Sequence, residues 1–148
     1  MAADSQSSSQ IGDIARFKRV QLITPTEREA RISLRNREDG LVVLAEKIRV
    51  QTGAKNILLK MSEEGLLIHA GPEDINSEWI TDRVDALNSS PKDVAGAGDS
   101  LLITSAMVLG LGANIWEAAL LASIAAAVQV SRVGNTPLQV NEFLEELE

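Results

Sequence analysis

The sequence predicts an α/β layered domain with a largely parallel sheet. Short apolar runs alternate with helix-length amphipathic segments. Glycine, proline and asparagine fall at the breaks between them. The chain of 148 residues is 45% hydrophobic and 24% charged, which is enough apolar side chain for one buried core at this length.

The elements follow in chain order. Asp4 to Gln10 is polar and of low complexity, so residues 1–12 are expected to be flexible. Ile11 to Lys18 suits a short helical turn with Ile14 and Phe17 on one side. Val20 to Thr24 reads as a buried strand stopped by Pro25. Thr26 suits an N-cap, with Glu27 and Glu29 in the first turn, and that helix should run to about Arg35. A second helix, Leu41 to Gln51, is apolar at Leu41, Leu44, Ala45 and Ile48 and closes at Gly53. Asn56 to Met61 and Leu66 to Ala70 read as strands paired antiparallel across the Glu63-Glu64-Gly65 turn. Residues 71–92 are polar and poorly periodic, with strands expected near Trp79 to Thr81 and near Arg83 to Leu87.

From Gly98 to Leu109 the surface is almost uniformly apolar, which predicts a helix buried all round. Asn114 and Glu117 form an Asn-x-x-Glu capping box for a long helix reaching Val130. Its alanines (Ala118, Ala119, Ala122, Ala125, Ala126 and Ala127) permit close helix–sheet approach. Gly134 to Pro137 reads as a loop and Val140 to Glu148 as a short acidic helix.

Composition excludes several functions. There is no cysteine, so a disulfide scaffold, a Cys-based zinc site, an iron–sulfur cluster and a thiol nucleophile are ruled out. The single histidine, His69, argues against a His-rich metal site and is expected in the core or at a sheet edge. A net charge of -7 argues against a nucleic-acid partner. Residues 93–148 are the acidic part: Asp93, Asp99, Glu117, Glu142, Glu145, Glu146 and Glu148 face one base, Arg132. The apolar stretch Leu101 to Val130 is interrupted by Gly110, Gly112, Asn114 and Glu117, so two helices are expected rather than a membrane span. With no secretory signal in the first twenty residues, a cytoplasmic protein is expected. Trp79 and Trp116 are expected to pack. Arg28, Arg31 and Arg35 follow helical spacing and read as a solvated face pairing with Glu27 or Glu38.

The densest signal is Asp93-Val94-Ala95-Gly96-Ala97-Gly98-Asp99-Ser100. Small residues at a helix N-terminus leave backbone N–H groups open to an anion, with the positive end of the dipole behind them. A carboxylate there repels a phosphate, but it makes sense if Asp99 takes a proton from a hydroxyl attacking a phosphoryl group held by the loop. A glycine-rich turn with Asp99 as an ordinary first-turn acid accounts for the spacing equally. A dinucleotide motif fails for want of the third glycine, and a Walker-type loop for want of Gly-Lys-Ser/Thr.

Asp-x-x-Gly-Ala-Gly-Asp followed by an Ala-rich helical pair resembles the C-terminal signature of the ribokinase-like (PfkB-type) carbohydrate kinases. Thr24-Pro25-Thr26-Glu27-Arg28-Glu29 resembles that family's Thr-Pro-Asn-x-x-Glu segment, with Thr26 in place of Asn. Lys60-Met61-Ser62-Glu63-Glu64-Gly65 resembles the strand–turn over the nucleotide, and Arg132-Val133-Gly134-Asn135 the loop after the last Ala-rich helix. The Ser-Glu-Glu-Gly form is similar to the kinase domain of the bifunctional heptose 7-phosphate kinase and adenylyltransferase.

The resemblance implies a three-layer ribokinase-like sheet with flanking helices, of which residues 1–148 form a single partial domain, the C-terminal half. It implies ATP-dependent phosphorylation of a sugar or sugar phosphate. Asp99 would be the general base, and Gly96, Ala97 and Gly98 would stabilise the transferring phosphoryl group. Glu29 would act through water on Mg2+. Thr26, Lys60, Ser62, Gly65, Ser123 and Gly134 would lie toward the nucleotide, with Ser123 where many members carry Asn near adenine. Asp93, with carbonyls of 128–135, would match a monovalent-cation site, K+ among the candidates. An absent acceptor half implies weak or no turnover from the chain alone, and leaves homo-oligomerisation or a missing N-terminal half as partners. A non-catalytic nucleotide- or partner-binding module of the same fold is the alternative.

Overall fold

A computed structural model describes residues 1–4, 13–71, 78–145 and 147. The readings of 5–12 as flexible and of Glu146 and Glu148 as helical lie outside the described residues. Two compact units form, Met1–Ser62 with Leu66–Arg83, and Glu63–Gly65 with Val84–Glu148.

The first unit is built on a sheet whose strands are β1 (Ala2–Ala3), β2 (Leu22–Ile23), β3 (Asn56–Lys60), β4 (Leu66–Ala70) and β5 (Ile80–Val84), in that spatial order. β1, β2 and β3 are parallel, and β3 and β4 antiparallel with Asn56 opposite Ala70 and Lys60 opposite Leu66, so the sheet is mixed. β3 and β4 are buried on both faces, which explains why their apolar runs do not alternate. α1 (Glu27–Leu34) and α2 (Leu41–Thr52) supply Ala30, Leu44, Ala45 and Ile48 to a core with Ile14, Ile23, Ile57 and Leu59. Gly53 ends α2 in the left-handed conformation, as expected of a C-terminal glycine.

Two expectations are corrected. The strands near Trp79 and Arg83 are one strand, β5, because no glycine or proline breaks 80–84 and the extended run continues through Asp82 and Arg83. The helix expected to be buried all round, α3 (Ala97–Gly110), buries Leu101 and Ser105 but leaves Ile103 57% and Met107 63% exposed. Its apolar surface is uniform, yet within its unit only one side meets α4 (Ile115–Val130), so periodicity alone could not fix the exposed side. The turn Leu111 to Asn114 separates α3 from α4, and α5 (Val140–Glu145) follows the 131–139 loop. Among the described residues no helix is long and apolar enough to cross a membrane.

Candidate active site

In the second unit the glycine-rich loop turns into α3 at Gly96, whose φ of +79° is left-handed. A Cβ on Gly96 would stand 2.1 Å from Asn135 Oδ1, so glycine is required by both conformation and space. The helical ladder begins with Ser100 N–H donating to Gly96 O (2.9 Å). Ala97 N–H reaches Val94 O at 3.3 Å. The amides of Gly98 and Asp99 have no acceptor among the described residues, so they stand open at the positive end of the helix. Asp99 occupies the third helical position, exposed, and its carboxylate has no partner among the described residues.

The loop is held by polar bonds. Asp93 accepts from the amides of Ala95 and Gly134, each at 3.0 Å, and these two bonds hold its carboxyl below the ordinary carboxylate range. Val130 O accepts from the amides of Lys92 (2.8 Å) and Asp93 (3.3 Å). Gln129, only 1% exposed, donates from Nε2 to Ala95 O and Gly134 O, both at 3.2 Å, and so joins the two loops. Arg132 extends the lattice, donating to Gln129 Oε1, Thr136 O and both oxygens of Glu142. The sequence reading missed Gln129 and named Asn135 only within the Arg132–Asn135 loop, with no role of its own; a lone amide side chain near the end of an Ala-rich apolar helix was the signal available for Gln129.

Ser123 lies half-buried on α4 and donates its hydroxyl to Ala119 O at 2.8 Å, leaving its lone pairs to accept. Gly65, at φ +95°, faces the backbone of 84–86; a Cβ there would meet Val84 O at 2.2 Å, which gives this glycine a structural reason of its own.

In the first unit Thr26 and Glu29 form a capping box at α1. Glu29 Oε2 accepts from Thr26 N–H (2.7 Å) and Thr26 Oγ1 (2.8 Å), while Thr26 Oγ1 accepts from Glu29 N–H (3.1 Å). Glu29 is 4% exposed, and its Oε1 has no partner among the described residues. Lys60 ends β3 with its ammonium 2.7 Å from Asp4 Oδ2. Ser62 opens a short 3-10 turn, exposed, at φ +56°. Thr26, Glu29, Lys60 and Ser62 line one cleft of about 790 Å³. The structure therefore gathers these four, and separately gathers Asp93, Gly96, Ala97, Gly98, Asp99 and Gly134. Among the described residues no three acidic or histidine side chains converge as a metal cage.

His69 is no ligand candidate. Its Nε2 lies 2.8 Å from Glu46 Oε2 and its Nδ1 2.8 Å from Thr81 Oγ1, and its ring stacks on Trp79 at 5.0 Å. Arg49 covers the other aromatic partner, 4.2 Å from the Trp79 ring centre.

No protein-family model matches the chain. The bifunctional protein HldE of Geotalea uraniireducens (strain Rf4) is 27% identical over 139 residues, covering 91% of this chain and 27% of that protein. Phosphofructokinase-2 from Escherichia coli, in complex with potassium, superposes at a TM-score of 0.77 and 16% identity, over 97% of this chain and 45% of that one. Arabidopsis thaliana ribokinase complexed with ribose and ATP gives 0.76 and 16%, over 99% and 47%. The chain thus spans about a quarter of that curated relative and under half of these structures. It has the ribokinase-like fold of sugar kinases over part of their length, and its sequence is similar to those of bifunctional HldE proteins.

Proposed function

We propose that this chain carries the nucleotide-binding and proton-abstracting residues of an ATP-dependent sugar kinase. The observation that carries the reading is Asp99: an exposed, partnerless carboxylate on the same helical turn as the open amides of Gly98 and Asp99. Open amides at a helix N-terminus receive the charge of a phosphoryl oxygen, and a free carboxylate beside them has nothing to neutralise except an incoming proton. Asp99 takes the proton of the sugar hydroxyl as its oxygen attacks. The Gly96–Gly98 backbone, whose left-handed turn beside Asn135 needs glycine at 96, stabilises the charge that develops on the phosphoryl group.

ATP supplies the phosphoryl group, and Mg2+ screens its charge. Magnesium keeps most of its waters and needs one or two carboxylates besides phosphate. Glu29 fits that demand: its backbone-facing oxygen is fixed by Thr26, and Oε1 is left to accept from a metal-bound water. Lys60 and Ser62 line the same cleft and complete the polar wall offered to the nucleotide, with Gly65, Ser123 and Gly134 assigned to it by resemblance. Asp93, its charge favoured by the Ala95 and Gly134 amides, is the carboxylate available to a monovalent cation such as K+. The acceptor is a sugar or sugar phosphate, and the chain alone is expected to turn over weakly.

A second reading, nucleotide binding without transfer, is favoured by Thr26. Its hydroxyl and amide are both committed to Glu29, whereas a family Asn would present a donor and an acceptor. Calorimetric titration with Mg-ATP tests what the two readings share: saturable, magnesium-dependent binding is expected, and none at millimolar nucleotide rejects both. Transfer of labelled phosphate from ATP to a panel of sugars and sugar phosphates separates them.

A further inference from the structure

The cleft at the N-terminal end of α1 is unevenly neutralised. Arg31 is paired with Glu27 at 2.7 Å, Lys60 with Asp4 at 2.7 Å, and Glu29 Oε2 is taken up by Thr26. Arg28 and Arg37 line the same cleft, and their side chains have no hydrogen-bond or ion-pair partner among the described residues. Two uncompensated guanidinium groups in one cleft stand out in a chain of net charge -7. Arg37 is also well placed by its backbone. Asn36 Oδ1 accepts from the amides of Glu38 (3.2 Å) and Asp39 (3.1 Å), and Asn36 Nδ2 donates to Asp39 Oδ2 (2.6 Å), so the turn carrying Arg37 is fixed. An adjoining cleft of about 780 Å³ shares Arg31, Ile32 and Arg37 and adds Arg35, whose side chain likewise has no partner among the described residues.

A planar guanidinium binds phosphate through paired N–H donors, and two of them prefer a ligand with several phosphate oxygens. The remaining unused group in the wall is Glu29 Oε1, on a carboxylate almost wholly buried. A carboxylate beside two cations repels a bare anion but accepts from the water shell of a divalent metal. We propose that Arg28 and Arg37 clamp an oligophosphate group that arrives with its divalent cation, the cation's water shell resting on Glu29. The clamp rests on the kinase reading for its source, the phosphate chain of a nucleotide.

The probe for the clamp is magnesium tripolyphosphate, titrated calorimetrically into the full chain, with Mg-ATP and ribose 5-phosphate in parallel. The intact chain is expected to bind tripolyphosphate, and the Arg28→Ala/Arg37→Ala double variant to bind it at least about tenfold more weakly. Arg37→Lys should fall between, keeping the charge and losing the fork. Arg16→Ala, which removes one exposed arginine elsewhere, should leave affinity unchanged. Parallel weakening of Mg-ATP, with ribose 5-phosphate unaffected, supports a clamp on the nucleotide's phosphate chain, and weakening of ribose 5-phosphate alone overturns it. Failure of the intact chain to bind tripolyphosphate, or equal binding by the double variant, overturns the clamp. If the kinase reading fails instead, no sugar is phosphorylated, while the tripolyphosphate titration still reports on the arginines.

Discussion

The two units of this molecule are built by different means. Around the sheet, Ile23, Leu44, Ile48, Ile57 and Leu59 are wholly excluded from water, and shape follows from apolar burial. Around the glycine-rich loop, α3 leaves Ile103 and Met107 in solvent, and position is kept by hydrogen bonds from Asp93, Gln129 and Arg132 to backbone groups. Apolar burial leaves no place for an unpaired polar group within it; a polar lattice can hold a loop in place and still leave two amides and a carboxylate free. The unit that carries the proposed chemistry is therefore the one whose geometry depends on polar bonds.

That contrast sets the size of several effects. Ile57→Ala should lose about 2–5 kcal/mol in denaturant unfolding, whereas the same truncation at Ile103 should stay within about 0.5 kcal/mol. Comparable losses at both positions would show that the exposed side of α3 is covered in solution. Gly96→Ala combines a left-handed φ with a 2.1 Å approach to Asn135, so phosphoryl transfer should drop by at least about tenfold, the rate equivalent of about 1.4 kcal/mol. Pairing it with Asn135→Gly should recover only the part caused by the clash, which separates crowding from backbone strain.

Smaller effects compare the two capping boxes. Thr26→Ala and Asn114→Ala should each cost about 1 kcal/mol of stability, since each loses the side-chain oxygen that caps its helix. Only Thr26→Ala should also weaken Mg-ATP binding, and equal nucleotide affinity in both variants would remove Thr26 from the nucleotide site. The smallest effect is a pH limb. The hydrogen bond from Arg49, helped by His69, lowers the Glu46 carboxyl from the ordinary value of 4.5 to about 2. A depressed carboxylate stabilises the fold above its unfolded value and loses that contribution as pH falls toward its folded value. Thermal stability should thus decline from about pH 4.5 down to about 2, and Glu46→Gln should flatten part of that decline.

What the sequence made legible was local. Thr26 with Glu29 and Asn114 with Glu117 could be read as caps because both partners lie within one turn. Gly53 as a helix stop and the β3–β4 pairing across Gly65 depend on neighbours in the same way. The glycine-rich segment 93–99 was legible by composition as the entry to a helix, and it leads into α3. What stayed hidden depends on distant partners. Nothing in a uniformly apolar helix marks which side lacks a neighbour, so the exposure of Ile103 could not be read. Asn135 meets Gly96 across a separation no motif spacing encodes, and the meeting of Asp93 with the Gly134 loop was implied by resemblance alone. Arg37 reaches the α1 cleft from the turn after the helix, outside the spacing of Arg28, Arg31 and Arg35.

The central claim concerns the carboxylate at the head of α3, and Asp99→Asn tests it most directly. Turnover with saturating Mg-ATP and an accepted sugar should fall by about 10²–10⁴-fold, because the amide keeps the shape and cannot take a proton. Mg-ATP affinity, measured on the same sample, should change little. Turnover equal to that of the unaltered chain would contradict the account.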